Sequence, residues 1–104
     1  MPYYIDGNVK LTQSLTILRH IGRKNNLYGT TDQEKRRIDV LENQIADLIY
    51  DFYETALAAN IDELKPKYVD TLKTVKLPEL TSFIGKGPYA NGEHISYADF
   101  LLYE

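Results

Sequence analysis

The feature that most constrains the fold is an apolar repeat that begins near Thr31 and continues to about residue 59. Its apolar residues are spaced three or four apart, as one face of an α-helix requires. They are Ile38, Leu41, Ile45, Leu48 and Phe52. Thr31 and Glu34 have capping-box spacing, which marks a helix N-terminus. Because a helix of about 30 residues is far longer than the usual three to four turns, we expect it to cross a whole domain or line an interface.

The start of the chain predicts a β-hairpin that runs directly into another helix. Asp6-Gly7-Asn8 separates two β-prone triplets at residues 3–5 and 9–11, and Asp-Gly between such runs is a strong hairpin signal. A lone hairpin is marginally stable, so we expect it to belong to a larger sheet. The helix is expected from Ser14 to about residue 26. Gln13 and Ser14 lie at the junction, where they could cap the helix or help its N-terminus hold an anion.

Further helices are predicted in the second half of the chain. One is expected after Asp62, with Pro66 in its first turn, where the missing N–H is tolerated. Pro78 falls inside the continuing apolar pattern and predicts a kink or break. Gly-rich and Pro-containing residues 85–92 predict a loop. Ser96 and Asp99 then form a second capping-box-like pair, which predicts a short helix from Tyr97.

The composition limits the partners and the chemistry. With 43% hydrophobic and 26% charged residues among 104, the chain is an ordinary globular sequence of about one domain. The net charge of -3 argues against a nucleic-acid partner, and the basic run 35–37 is expected to be a solvated face. Cysteine is absent, which excludes a disulfide framework and a thiolate nucleophile. His20 and His94 lack a second ligand at metal spacing, so no metal site is expected.

No membrane partner is predicted either. No apolar run approaches the ~20 residues that span a bilayer. The N-terminal residues also lack the basic and apolar regions of a secretory signal. These observations lead us to expect a cytoplasmic protein.

Six blocks of the sequence resemble, in order and spacing, the middle of a cytosolic glutathione transferase of the mu class. The blocks are PYYIDG (2–7), LTQS (11–14), LENQ (41–44), LKP (64–66), FIGK (83–86) and ISYADF (95–100). The resemblance implies an α+β fold that is mostly helical. Residues 1–27 would be the last β-hairpin and helix of a thioredoxin-like, glutathione-binding domain. Residues 28–104 would be the first helices of the all-helical second domain, so we expect an internal fragment of the family chain.

The resemblance also implies part of a glutathione site. Gln13 and Ser14 match the pair that binds the γ-glutamyl group, with Ser14 offering its hydroxyl and N–H to the α-carboxylate and Gln13 an amide oxygen to the amine. Asp47 matches an aspartate that reaches the same amine from a second subunit. Pro2 matches a cis-proline that would aim the backbone of Met1 at the cysteinyl residue of glutathione. The thiol-activating tyrosine has no counterpart, so no catalytic residue is assigned.

Four charged residues are implied to lie in a homodimer interface. Arg19 and Arg23 match residues that meet acidic partners of the second subunit, and Asp39 and Glu42 match those partners. Each subunit would then supply both signs of charge, as a two-fold interface allows. Judged without the resemblance, the two arginines would be ordinary charges in the second half of a helix, and Asp47 a solvated helix residue.

The implied function is transfer of reduced glutathione to a small electrophile in detoxification. Glutathione would be a cosubstrate, with no cofactor required. Two alternatives remain at this point: a non-catalytic binding or dimerisation module, and a sigma-class-like isomerase acting on a lipid peroxide. Because the tyrosine region is missing, the 104-residue chain alone is expected to show no turnover.

Overall fold

The computed structural model describes all 104 residues as a β-hairpin followed by helices. The elements are β1 (Tyr3–Asp6), β2 (Val9–Thr12), α1 (Ser14–Lys24), α2 (Asp32–Ala56), α3 (Ile61–Thr71), a π-helical turn (Leu72–Lys76), α4 (Leu77–Ile84) and α5 (Tyr97–Tyr103). The predicted mostly helical α+β fold is therefore confirmed. None of these helices is long and apolar enough to cross a membrane.

The predicted hairpin and the helix after it are both present. β1 and β2 pair antiparallel, with Tyr3 opposite Thr12 and Asp6 opposite Val9. Gly7 has a φ of +58°, a backbone conformation that the tight turn requires and that glycine adopts without strain. An exposed ion pair joins Lys24 at the end of α1 to Asp6 of the hairpin, and a surface pair of this kind contributes little to stability. The chain enters α1 directly from the hairpin, because a single residue separates β2 from α1.

Helix α2 is the long helix that the apolar repeat predicts, with 25 residues. Its capping box is formed: the N–H of Glu34 donates to Thr31 Oγ1 at 3.1 Å, and the N–H of Thr31 donates to Glu34 Oε2 at 3.2 Å. Ile38 and Leu41 are fully buried, whereas Phe52, later in the same repeat, is 52% exposed. The buried half of α2 therefore forms the centre of the core.

Pro66 does not lie in the first turn of its helix. The helix begins at Ile61, earlier than predicted, because the carbonyl of Asn60 already accepts the N–H groups of Glu63 and Leu64. Pro66 is therefore in the second turn of α3, where it removes one backbone donor from the helix interior.

Pro78 does not break the helical run. The π-helical turn changes the hydrogen-bond register just before it, and the N–H of Leu77 donates to the carbonyl of Leu72, five residues earlier. Pro78 consequently lies in the first turn of α4, where a missing N–H is tolerated. The predicted kink or break is replaced by this local change of register.

The core lies where α2, α4 and α5 meet the loop before α5. Its buried hydrophobic residues are Ile38, Leu41, Ile45, Leu80, Ala90, Tyr97, Ala98 and Leu101. The start of α5 is fixed by Asp99, whose carboxylate accepts the N–H of Ser96 at 2.8 Å and that of Ala90 at 2.7 Å. The predicted helix start at Tyr97 is confirmed, and Asp99 also fastens the preceding loop to it.

Candidate functional site

The N-terminus of α1 has the features of an anion-binding site. Ser14 is exposed, and it follows Gln13, whose carbonyl accepts the first intrahelical hydrogen bond from Ile17 at 3.0 Å. No side chain caps this end, so the N–H groups of the first turn have no partner within the helix. A bound carboxylate could therefore accept hydrogen bonds from these N–H groups and from the Ser14 hydroxyl.

The charge distribution along α1 favours an anion at the same place. The first turn contains no acidic residue, and the last turn carries Arg23 and Lys24. The helix dipole places about half a positive charge at the N-terminus, and nothing within the first turn neutralises it. The two cations act at the opposite end, where they stabilise the helix without occupying the site.

Gln13 has an unusual backbone conformation, with φ 72° and ψ 117°. Positive φ is uncommon for a residue with a side chain, and such strain costs on the order of 1–3 kcal/mol. It persists because the end of β2 must turn sharply to enter α1 within one residue. Strained residues of this kind cluster at ligand-binding sites, which agrees with the role predicted for Gln13.

Met1 and Pro2 do not have the predicted cis geometry, because no peptide bond in the chain is cis. The trans form of a bond before proline is the more stable by about 0.5–1 kcal/mol unless surrounding structure selects the cis form. Met1 is 97% exposed and no side-chain hydrogen bond holds either residue. Pairing of the Met1 backbone with glutathione stays a prediction.

Asp47 lies on α2 and is not brought together with Gln13 or Ser14. It lines an open groove of about 670 Å³ whose other lining residues are Asp39, Val40, Asn43, Gln44, Glu79 and Phe83. Neither residue of the α1 N-terminus lines this groove. Contact between Asp47 and a ligand at Ser14 stays a prediction that requires a second copy of the chain.

Arg19 and Glu42 form an ion pair within one chain. The Arg19 Nη2 to Glu42 Oε2 distance is 2.8 Å, and Nε lies 3.1 Å from the same oxygen. Glu42 is only 1% exposed, so its carboxylate is enclosed by its own chain, whereas the side chain of Arg19 is 37% exposed. A role of the pair in an interface with a second subunit stays a prediction. The hydrogen bond to Glu42 raises the pKa of Arg19 further, so the guanidinium is always charged.

Arg23 and Asp39 meet through an aromatic side chain of the same chain. The guanidinium of Arg23 lies 4.8 Å from the ring centroid of Tyr28, and the hydroxyl of Tyr28 donates to Asp39 Oδ1. Burial, together with this hydrogen bond, raises the pKa of Tyr28, which keeps its phenol protonated as the donor. An interface role for Arg23 and Asp39 stays a prediction, and the structure adds that Tyr28 would lie between them.

The sequence does not predict the structural roles of two residues. Tyr97 was identified only as a helix start, yet its hydroxyl donates to Glu42 Oε2 at 2.7 Å across 55 residues of sequence. Arg37 was expected on a solvated face, but it is partly buried and donates to the carbonyls of Ile84 at 3.1 Å and Ala90 at 3.3 Å. No local pattern reveals either contact, because both join residues that are distant in sequence.

Comparison with known proteins gives a match along the whole chain. The chain is 44% identical over 104 residues to a glutathione S-transferase of Tyrophagus putrescentiae. It is also 44% identical to glutathione S-transferase Mu 5 of Homo sapiens and 42% identical to Mu 1 of Macaca fascicularis, again over 104 residues. The matched region is 47% of each relative, so the chain spans about half the length of the curated relatives it matches. A scan against models of known protein families found no match.

Solved structures agree with these relatives. A pi-class glutathione S-transferase of Onchocerca volvulus superposes with a TM-score of 0.85 at 28% identity, covering 99% of this chain and 51% of that one. The glutathione S-transferase Blo t 8 superposes with a TM-score of 0.83 at 28% identity, covering 99% of this chain and 49% of that one. The similarity therefore extends over the hairpin and all the helices.

Proposed function

The chain belongs to the glutathione S-transferase family, and on that premise we propose that it contributes the γ-glutamyl half of a glutathione-binding site. A protein that carries it would transfer reduced glutathione to small electrophiles, as a homodimer in the cytosol. The observation that carries the proposal is the N-terminus of α1: an uncapped end without acidic neighbours, which the chain enters through the strained Gln13.

The proposed contacts follow from charge and hydrogen-bonding capacity. The α-carboxylate of glutathione would accept from the Ser14 hydroxyl and from the free N–H groups of α1, with the helix dipole adding to the attraction. The side-chain oxygen of Gln13 would accept from the α-amine. Asp47 of a second copy would add a charge-assisted contact to the same amine. These residues would bind and orient glutathione without taking part in the bond-forming step.

The chemical step would be carried by the glutathione thiol. Hydrogen-bond donation to the thiolate lowers the pKa of a thiol, and the thiolate then forms a C–S bond to an electrophilic carbon. In a substitution the leaving group departs with the electron pair of its bond to that carbon, and in an addition the resulting carbanion takes up a proton. None of the 104 residues is assigned to thiol activation. A non-catalytic binding module is the second candidate, and the observation that favours it is the uncapped N-terminus of α1, which can hold an anion without any reacting group.

Titration of the isotope-labelled chain with glutathione, followed by NMR, tests the binding proposal. We expect shifts at the amides of Gln13, Ser14 and Leu15, and weaker binding for Ser14→Ala by about tenfold or more, since a charge-assisted hydrogen bond contributes roughly 1.5–3 kcal/mol. Ser82→Ala is the matched control, because Ser82 is an exposed helical serine on α4. Shifts confined to other elements, or equal affinities for the two variants, would contradict the proposal.

A further inference from the structure

We propose that Glu42 is a positioning residue for the glutathione site. Through Arg19 and Tyr97 its carboxylate fixes the placement of α1 on α2 and α5, and therefore the placement of Ser14. What Ser14 binds rests on the proposed function, whereas the effect on α1 stands on the geometry alone. Arg19, Glu42 and Tyr97 are called the Glu42 cluster below.

One oxygen atom joins three elements in this cluster. Glu42 Oε2 on α2 accepts hydrogen bonds from Nη2 and Nε of Arg19 on α1, at 2.8 and 3.1 Å, and from the hydroxyl of Tyr97 on α5 at 2.7 Å. Glu42 and Tyr97 are each 1% exposed. A buried carboxylate is strongly unfavourable unless it is paired and hydrogen-bonded. The two donors therefore cannot move away from Glu42 without leaving its charge unpaired.

The second carboxylate oxygen makes no hydrogen bond. Glu42 Oε1 is buried and has no hydrogen-bond partner among the atoms of the chain. Every hydrogen bond of the carboxylate therefore goes to Oε2 and comes from Arg19 or Tyr97. Loss of either donor leaves the buried carboxylate with fewer hydrogen bonds, which is unfavourable.

Close packing of α1 against Tyr97 makes the position of the helix sensitive to the cluster. A Cβ atom at Gly22 would lie 2.6 Å from Cδ1 of Tyr97, so the backbone of α1 rests directly on the ring. The ring of Tyr97 also stacks on Tyr28 with centroids 5.7 Å apart, and the N–H of Tyr97 donates to the carbonyl of Leu27 at 2.8 Å. Tyr97 is thereby held between α1 and the segment that follows it.

The site lies on the same rigid helix as the anchor. Ser14 precedes Arg19 by five residues, which is roughly 7.5 Å along the helix axis. A shift or rotation of α1 at Arg19 therefore reaches Ser14 almost undiminished. A hydrogen bond weakens steeply as its distance and angle depart from the optimum, so a small shift of Ser14 is enough to weaken its contact with a bound carboxylate.

The test measures both the orientation of α1 and the affinity for glutathione in folded variants. Residual dipolar couplings of α1 amides relative to those of α2 report the orientation, and NMR titration with glutathione gives the dissociation constant. We compare the natural chain with Glu42→Gln, which keeps the shape and removes the charge, and Tyr97→Phe, which keeps the ring and removes one donor. Asp6→Asn is the matched control, because it removes the exposed ion pair of α1 with Lys24.

We expect Glu42→Gln and Tyr97→Phe to change the α1 couplings and to weaken glutathione binding by about tenfold, while Asp6→Asn changes neither. If Glu42→Gln fails to fold, Tyr97→Phe decides the question, since its ring packing is kept. Unchanged α1 couplings in a folded variant would overturn the proposal, and so would altered couplings with unchanged affinity. If the natural chain itself does not bind glutathione, the proposed function fails, and the couplings still decide the positioning role.

Discussion

The guanidinium of Arg37 lies 4.4 Å from the ring centroid of Phe83 and donates a hydrogen bond to the backbone carbonyl of that same residue. It also donates to the carbonyl of Ile84, so one side chain from α2 satisfies two carbonyls at the C-terminal end of α4. These carbonyls have no partner within their own helix. Arg37 thereby fastens the end of α4 to α2, 46 residues away in sequence.

We predict that Arg37→Gln lowers the free energy of unfolding by about 2 kcal/mol, because partly buried carbonyls lose charged donors. Urea denaturation followed by circular dichroism measures the change. Arg36→Gln is the control: Arg36 is exposed and forms no ion pair, so its loss should change stability by less than about 0.5 kcal/mol. Equal effects of the two substitutions would show that the contact with α4 contributes nothing.

Gly22 is predicted to be required for close packing and not for helix flexibility. Alanine is the better helix former by about 1 kcal/mol, so Gly22→Ala should stabilise the chain if packing were irrelevant. Because the added Cβ would overlap the Tyr97 ring, we expect a net loss of roughly 1–3 kcal/mol instead. Thr16→Ala, at an exposed position of α1, should give a small gain. Thermal unfolding of both variants distinguishes the two explanations, and a Gly22→Ala chain more stable than the natural one contradicts ours.

Glu34 is predicted to make stability depend on pH in the acidic range. Its carboxylate accepts the N–H and hydroxyl of Thr30 and the N–H of Thr31, and these hydrogen bonds lower the pKa of Glu34 below its usual value. A group whose pKa is lowered by folding stabilises the fold above its unfolded pKa of about 4.3 and loses that effect as the pH falls through the lower folded value.

The difference in unfolding free energy between the natural chain and Glu34→Gln should therefore be largest near neutral pH and shrink as the pH falls below the unfolded pKa of about 4.3. Urea denaturation at several pH values measures it. Asp32→Asn, at an exposed position of the same helix turn, controls for the loss of a negative charge near the helix dipole. If the difference in unfolding free energy grows on acidification, the prediction is contradicted.

The 104-residue chain is predicted to lack transferase turnover. The proposed contacts of Gln13, Ser14 and Asp47 orient glutathione but offer its thiol no donor. A spectrophotometric assay with glutathione and a generic aryl halide should give the rate of the uncatalysed reaction at all chain concentrations. A rate that rises in proportion to the chain concentration would contradict this prediction. It would require a thiol-activating group among these residues.

Most of the fold could be predicted from local sequence signals. The features that could not be predicted depend on contacts between residues that are distant in sequence. The Asp6-Gly7 turn, the Thr31 capping box and the apolar spacing on α2 act within a few residues, so the hairpin and the long helix could be predicted. The kink or break predicted at Pro78 is wrong, because the π-helical turn before it accommodates the proline and no residue pattern predicts such a turn.

The candidate site also has a part that the sequence predicts and a part that it does not. Gln13 and Ser14 are neighbours at an element junction, so their placement at the N-terminus of α1 could be predicted. The burial of Glu42 could not, because it depends on Arg19 and Tyr97 arriving from other helices. A charged residue on a helix is usually exposed, and only the assembled fold shows which one is enclosed.

The central claim is that the N-terminus of α1 binds the γ-glutamyl group. Separate titrations with the two dipeptides contained in glutathione test this claim most directly. The shifts of the Gln13 and Ser14 amides can be titrated with γ-glutamylcysteine and, separately, with cysteinylglycine. We predict that γ-glutamylcysteine reproduces the shifts seen with glutathione at similar concentrations and that cysteinylglycine produces none at these amides. Equal shifts with cysteinylglycine would contradict the claim, because that dipeptide lacks the γ-glutamyl group altogether.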